Sequence, residues 1–253
     1  MKWLGTFLDN HSLFGRIMTR CGILIAGNLL FLLFSLPVVT IGAAWTALYY
    51  TMMKTLRTDG ELNPFRTFWD GFRENLKQAS AAFWLFVLLG GFLVLELFWC
   101  GQFTGPVSLF RCGLTALLLA EGVTAAYLFP VMAAFRGSLG ELIRDSVFFA
   151  VRRPVTLALV LFLHAAPVVL TVLDEARRPL YAFLWCLTGF SGVAICCGAM
   201  LLRQFNPLLQ KSKSAADSPE GTGEAAEPHD GPTGEGGSEA ERKTLDEMKK
   251  LGM

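Results

Sequence analysis

The sequence predicts an all-α fold: a polytopic bundle of transmembrane helices with five or six spans. Three observations carry that reading. Residues 21–53 run for 33 positions without a charged side chain, whereas about 20 apolar residues already cross a ~30 Å hydrocarbon core as a helix. Hydrophobic residues make up 53% of the chain and charged ones only 17%, less charge than a water-soluble domain of this length carries. Further apolar stretches recur at 79–99, 106–135, 155–173 and 180–202, so the long run is not an isolated anchor.

Taken in order, residues 1–20 place Trp3, Leu4, Phe7, Leu8, Leu13, Phe14, Ile17 and Met18 in an apolar stripe, with Lys2, Arg16 and Arg20 as polar anchors. That pattern predicts an interfacial amphipathic helix. The next apolar run lacks a small-residue cleavage site, so the first span is expected to be retained rather than removed as a signal. As one helix, the 33-residue run would be a rod of about 50 Å. Its middle is Ser35-Leu36-Pro37-Val38-Val39-Thr40-Ile41-Gly42, where proline lacks a donor and glycine loosens the backbone. The run is therefore expected to break at Pro37 into spans 21–36 and 38–53; a re-entrant element or one kinked span, giving five crossings, is the alternative.

Between 54 and 78, Phe65, Phe68, Trp69 and Phe72 share one helical face and the charges lie elsewhere. This predicts a segment resting on the membrane surface. The bundle is expected to occupy 21–205. Residues 206–253 are acidic and rich in Gly, Pro and Ser, too poor in apolar surface to fold. Within that tail Ser238 and Glu241 have capping-box spacing for a short helix over 239–251.

Charge sets orientation. Lys and Arg number three in 1–20, five in 54–78, four in 136–154 and none in 100–105. The positive-inside rule then puts the arm, the two long loops and the tail in the cytoplasm, which predicts a multi-pass plasma-membrane protein with both termini cytoplasmic. Residues 1–210 hold 16 basic against 11 acidic side chains. The excess is spread over several loops, which fits anionic lipid headgroups and not a nucleic-acid stripe.

Four ionisable groups fall inside apolar stretches: Glu96, Arg111, Glu121 and His164. Each needs a partner or a wet cavity, since a charge at mid-span costs about 2.5–3.5 kcal/mol on insertion scales. Glu96 and Arg111 flank the 100–105 turn at similar distances and are expected to form a structural ion pair. Glu121 and His164 lie near the middle of their segments, as a proton or substrate pathway or as a polar tie between helices. The six cysteines show no C-x-x-C and no matching histidine pair, so no metal site or cofactor is expected. The Cys196-Cys197 pair points its side chains in different directions on a helix. Gly189-Phe190-Ser191-Gly192 superficially resembles a rhomboid-protease serine motif, but there the serine precedes the histidine, the reverse of Ser191 and His164. With no H-E-x-x-H, G-x-S-x-G, Walker or dinucleotide pattern, no enzymatic activity is expected. Thr46-Ala47-Leu48-Tyr49 is echoed at Thr124-Ala125-Ala126-Tyr127, for which convergence of similar apolar residues is the simpler explanation.

Asn28, followed by Phe34-Ser35-Leu36-Pro37-Val38-Val39-Thr40-Ile41-Gly42-Ala43-Ala44 and Thr46-Ala47-Leu48-Tyr49, resembles the signature of the YesL-like family of bacterial membrane proteins. Phe68, Phe72, Asn75, Lys77-Gln78-Ala79 and Phe129-Pro130 also fit. Ala43 departs from the proline that the family pattern often has after Ile-Gly. The resemblance implies Asn28, Ser35, Pro37, Thr40, Gly42, Thr46 and Asn75 as family-motif positions. It implies a polytopic protein encoded near carbohydrate-uptake genes, with no established catalytic activity and no binding residues. On that basis the expected role is a non-enzymatic accessory or regulatory component, with the lipid bilayer and subunits of a carbohydrate permease or membrane sensor as partners. The alternative is a small secondary transporter using Glu121 and His164.

Overall fold

Eight helices follow one another in the computed structural model, which describes residues 13–58, 62–101 and 108–216. They are α1 (Leu13–Ser35), α2 (Ile41–Arg57), α3 (Pro64–Cys100), α4 (Ser108–Ala134), α5 (Leu139–Arg152), α6 (Pro154–Leu173), α7 (Arg178–Leu184) and α8 (Phe190–Ala216). A 3₁₀ turn, Val38–Thr40, precedes α2 and another, Glu175–Arg177, precedes α7; a π turn, Trp185–Gly189, joins α7 to α8. No strand occurs among the described residues. The bundle belongs to the first of two units, Met1–Lys213 and Ser214–Met253. Among the described residues, five segments are long and apolar enough to cross a membrane: Gly15–Ser35, Pro64–Cys100, Leu109–Ala134, Pro154–Leu173 and Glu175–Phe205. Residues 1–12 of the expected interfacial helix and the tail beyond 216, with the helix expected over 239–251, lie outside the described residues.

The break at Pro37 is present and has a local cause. Pro37 has no N–H to donate, and Leu36 N reaches only Leu33 O, at 3.4 Å. The chain turns through Val38–Thr40, where the Thr40 hydroxyl donates to Phe34 O at 2.7 Å and to Pro37 O at 2.8 Å. The Phe34 carbonyl, in the last turn of α1, is thereby given a partner.

Beyond the break, α2 is not a lipid-facing span. At 17 residues, it is about 25 Å long, short of a ~30 Å core. Eleven of those residues are buried, so protein and not lipid surrounds the helix. Of the two span counts left open by the sequence, the described residues carry five.

Close packing explains why α2 is buried. A Cβ at Gly42 would overlap the Ala79 carbonyl oxygen on α3, and one at Gly71 would press into the Tyr50 ring. Ala43, Ala44 and Ala47 are fully buried. Small residues of this kind let membrane helices approach backbone to backbone. The buried threonines of α2 bond within their own helix: Thr46 to Gly42 O at 3.0 Å, Thr51 to Ala47 O at 2.8 Å and Thr55 to Thr51 O at 2.8 Å.

Three boundaries differ from expectation. First, α1 runs unbroken from Leu13 through the junction expected at 20/21, since nothing there interrupts it. Second, the surface segment 54–78 and the span 79–99 are largely one helix. The Asn63 side chain caps α3 by accepting from Phe65 N and Arg66 N, with Pro64 in its first turn, a favourable start. Phe68 and Phe72 do not rest on lipid: both are buried, with Phe34 at ring-centroid distances of 5.6 and 4.8 Å. These two rings found a protein partner, while Phe65 and Trp69 of the same predicted face stay exposed. Third, α8 continues past Pro207 to Ala216, through Leu208, Leu209, Gln210 and Lys211, all good helix formers.

Candidate functional site

The polar residues that matter converge inside the bundle. His164 on α6 has Nδ1 2.8 Å from Val160 O, one turn back, and Nε2 3.2 Å from the Tyr49 hydroxyl on α2. A carbonyl only accepts, so in the neutral ring Nδ1 carries the proton and Nε2 accepts from Tyr49. The Cys197 thiol of α8 lies 3.9 Å from Nδ1. Cys197 and Tyr49 are fully buried, while Cys196 is exposed, as the helical geometry of the pair predicts.

Beside this cluster, Tyr127 of α4 and Gln204 of α8 are near neighbours. Both side chains are buried, and by distance and angle neither Tyr127 Oη nor Gln204 Nε2 makes a hydrogen bond among the described residues. Tyr49 and Tyr127 both lie near Cys197, which brings the two echoed tyrosines to one part of the interior.

A second polar centre is built on Asn28 of α1, which is fully buried. A π turn widens the helix and leaves carbonyls poorly served by their own ladder. Asn28 Nδ2 donates to Trp185 O at 2.9 Å and to Cys186 O at 2.7 Å, and Asn28 Oδ1 accepts from Ser191 N at 3.1 Å. One amide therefore serves both edges of the Trp185–Gly189 turn. The Ser191 hydroxyl donates to Thr188 O at 3.0 Å, which makes it part of the turn.

Glu121 stands apart from His164: among the described residues no hydrogen bond or ion pair joins them. Its carboxylate lies across Gly90 of α3, where a Cβ would come within 3.1 Å of either oxygen, and Oε2 is buried without a hydrogen-bond partner among the described residues. The glycine is what lets the carboxylate settle there. The expected Glu96–Arg111 ion pair is not formed. Ion pairs among the described residues are Arg136–Glu74, Arg144–Asp145, Arg177–Asp174 and Arg178–Glu175. Arg111, in the first turn of α4, is exposed, and similar distance from a turn did not bring the two side chains together.

The motif positions divide by role. Asn28 ties α1 to the π turn, Pro37 and Thr40 shape the break, and Gly42 sets the α2–α3 approach. Thr46 bonds within α2, and Asn75 Nδ2 donates to Gly71 O at 3.0 Å within α3. The Ser35 hydroxyl is buried and has no hydrogen-bond partner among the described residues. Sequence reasoning missed Tyr49, Tyr127, Cys197 and Gln204 as one cluster. The Thr-Ala-x-Tyr echo was the available signal, since it marked both tyrosines. No group of three or more His, Cys, Asp or Glu arranged for a metal ion occurs among the described residues.

Fold and site together define an all-helical membrane protein whose polar groups tie helices together in the interior. A family model described as "Protein of unknown function, DUF624" matches residues 24–97, from within α1 through the Pro37 break and α2 to near the end of α3. No curated protein and no solved structure matches the chain.

Proposed function

We propose that this chain is a non-enzymatic accessory or regulatory membrane protein associated with carbohydrate uptake, acting beside permease or sensor subunits. One observation supports the accessory reading over a self-contained transporter: the embedded ionisable pair that would couple transport is not assembled. His164 has both ring nitrogens engaged, by Tyr49 and Val160, and Glu121 sits against Gly90 instead. The link to carbohydrate uptake rests on the YesL-like resemblance, with which the match over residues 24–97 is compatible.

Purification of the tagged chain from its native membranes in mild detergent tests this. Permease or sensor subunits are expected to accompany it. A chain that purifies alone and by itself supports uptake in liposomes would overturn the reading. The buried, unpartnered Oε2 of Glu121 favours the second reading, a small secondary transporter. Substrate-driven proton movement in liposomes that disappears in Glu121→Gln and in His164→Ala would establish it in place of the first.

A further inference from the structure

Helix α5 is placed where it cannot cross a membrane and cannot leave it. Its 14 residues make about 21 Å, too short for a ~30 Å core. The candidate span of α4 ends at Ala134, with four residues between it and α5, and that of α6 starts at Pro154, with one residue between it and α5. Both ends of α5 are thus held at the membrane boundary.

The helix also has two apolar faces. Leu142, Ser146, Phe149 and Ala150 are buried in the bundle, where Phe149 meets Phe135 and Phe205 at 5.8 and 4.8 Å. The other face exposes Val147 (42%), Phe148 (54%) and Val151 (73%), continued into α6 by Val155 (73%). An apolar outward face on a helix at the boundary belongs among acyl chains. Arg152 and Arg153 stand at its carboxyl end. Arg136 is paired with Glu74 and Arg144 lies 3.9 Å from Asp145, but among the described residues neither Arg152 nor Arg153 has a carboxylate partner. The Arg152 guanidinium lies 5.7 Å from the Phe148 ring centroid, which sets a cation at the edge of the apolar face.

We infer that Arg152 and Arg153 bind the phosphate of an anionic phospholipid whose acyl chain lies along Phe148, Val151 and Val155. Guanidinium groups match phosphate oxygens in charge and in paired donor geometry. The greasy strip beside them selects a lipid over a free anion.

The test uses the full chain in nanodiscs of mixed phosphatidylcholine and phosphatidylglycerol, with retained lipids counted by native mass spectrometry. Phosphatidylglycerol is expected to be enriched on the wild-type chain. The enrichment should fall about fivefold for each arginine removed in Arg152→Gln and Arg153→Gln, while Arg144→Gln leaves it largely intact. Arg152→Lys/Arg153→Lys keeps the charge without the paired donors and should hold more of the enrichment than the double glutamine variant, which separates lost charge from lost fold. The indole of a Phe148→Trp chain should be quenched by brominated acyl chains. Equal retention of the two lipids, or enrichment unchanged in the double glutamine variant, overturns the site. Displacement of the lipid by inorganic phosphate reassigns it to a soluble anion, and an unquenched indole in the Phe148→Trp chain gives the face to another protein; either result overturns the proposal.

Discussion

The α2 region and the α6 region of this bundle are held by different forces. In α2 eleven of seventeen residues are buried, while in α6 Val160 alone of twenty is. Lipid removes the usual hydrophobic drive between helices, leaving close packing and interhelical hydrogen bonds to join them. The region around α2 uses the first: Gly42 on Ala79, Gly71 on Tyr50, and a run of buried alanines. The region of α6, α7 and the π turn uses the second: Tyr49 to His164, Asn28 to Trp185 and Cys186, and Trp185 Nε1 to Thr171 Oγ1 at 3.2 Å. The stretch matched by the family model, residues 24–97, contains the whole of α2 and Asn28. It therefore holds the closely packed region and one end of each main tie to the other.

The comparison breaks first at Gly42. A Gly42→Val chain puts methyl groups where the Ala79 backbone carbonyl already is, and a backbone atom cannot swing aside. The expected loss is about 3 kcal/mol, the upper end of ordinary overpacking, read as a fall in thermal midpoint in detergent. Gly91→Ala and Gly122→Ala, where an added Cβ meets nothing within 4 Å, should stay within about 1 kcal/mol of the parent. If all three behave alike, steric fit is not what holds α2.

Asn28→Leu tests the other mechanism. It removes three hydrogen bonds and leaves the Trp185 and Cys186 carbonyls without their side-chain donor. Interhelical bonds in membranes are worth about 1–2 kcal/mol, so a loss of about 2 kcal/mol is expected, with proteolysis appearing first near the π turn and not in α2. Asn28→Asp keeps an acceptor for Ser191 N but sets a buried carboxylate oxygen against the Trp185 and Cys186 carbonyls, and should lose more than Asn28→Leu. Equal loss of protection in both regions would mean that the bundle melts as one body.

Much of this division was legible in the sequence, and the rest was hidden for physical reasons. The break at Pro37 could be read because proline's missing donor acts locally. The burial of α2 could not: its residues are apolar enough for a span, and only the approach of α3 shows that protein covers it. The aromatic face of 54–78 divides for a related reason: Phe34 covers Phe68 and Phe72 while Phe65 and Trp69 stay exposed, and an amphipathic face alone does not say which rings protein will cover. At the polar centres, His164 was identified but its partner was not. Residues 49, 164 and 197 are brought together by tertiary packing, which sequence spacing does not encode. Glu96 and Arg111 show the same limit in reverse, because comparable depth does not place two side chains in contact.

Tyr49→Phe probes the tie between the regions with a smaller change. It removes one hydroxyl, the partner of His164 Nε2, and leaves the ring in its packed site. The expected loss is about 1 kcal/mol. The sharper readout is the His164 ring nitrogen resonance, which should shift when Nε2 loses its donor. An unchanged resonance would show that the 3.2 Å contact does not persist in the membrane, leaving α6 held through the π turn alone.

The smallest effect belongs to the cap of α5, which lies outside both regions and serves as their control. Ser138 N donates to Glu141 Oε2 at 2.9 Å, and Glu141 N donates to Ser138 Oγ at 3.4 Å. The Ser138 backbone N–H, chiefly, and then its hydroxyl hold the Glu141 carboxyl below the usual carboxylate range. A carboxyl lowered in this way stabilises the folded form at pH values above its unfolded pKa, about 4.3. That contribution fades as pH falls through the lower folded value. Hydrogen exchange in detergent should therefore show the first-turn amides of α5 losing protection on acidification, while those of α2 and α6 keep theirs. Ser138→Ala should shift the pH response toward that of an ordinary carboxylate. Simultaneous loss in α5 and α6 would show that Arg153, the single residue between them, couples the two helices into one unit. The loosely buried region would then have a third support beyond its two polar ties.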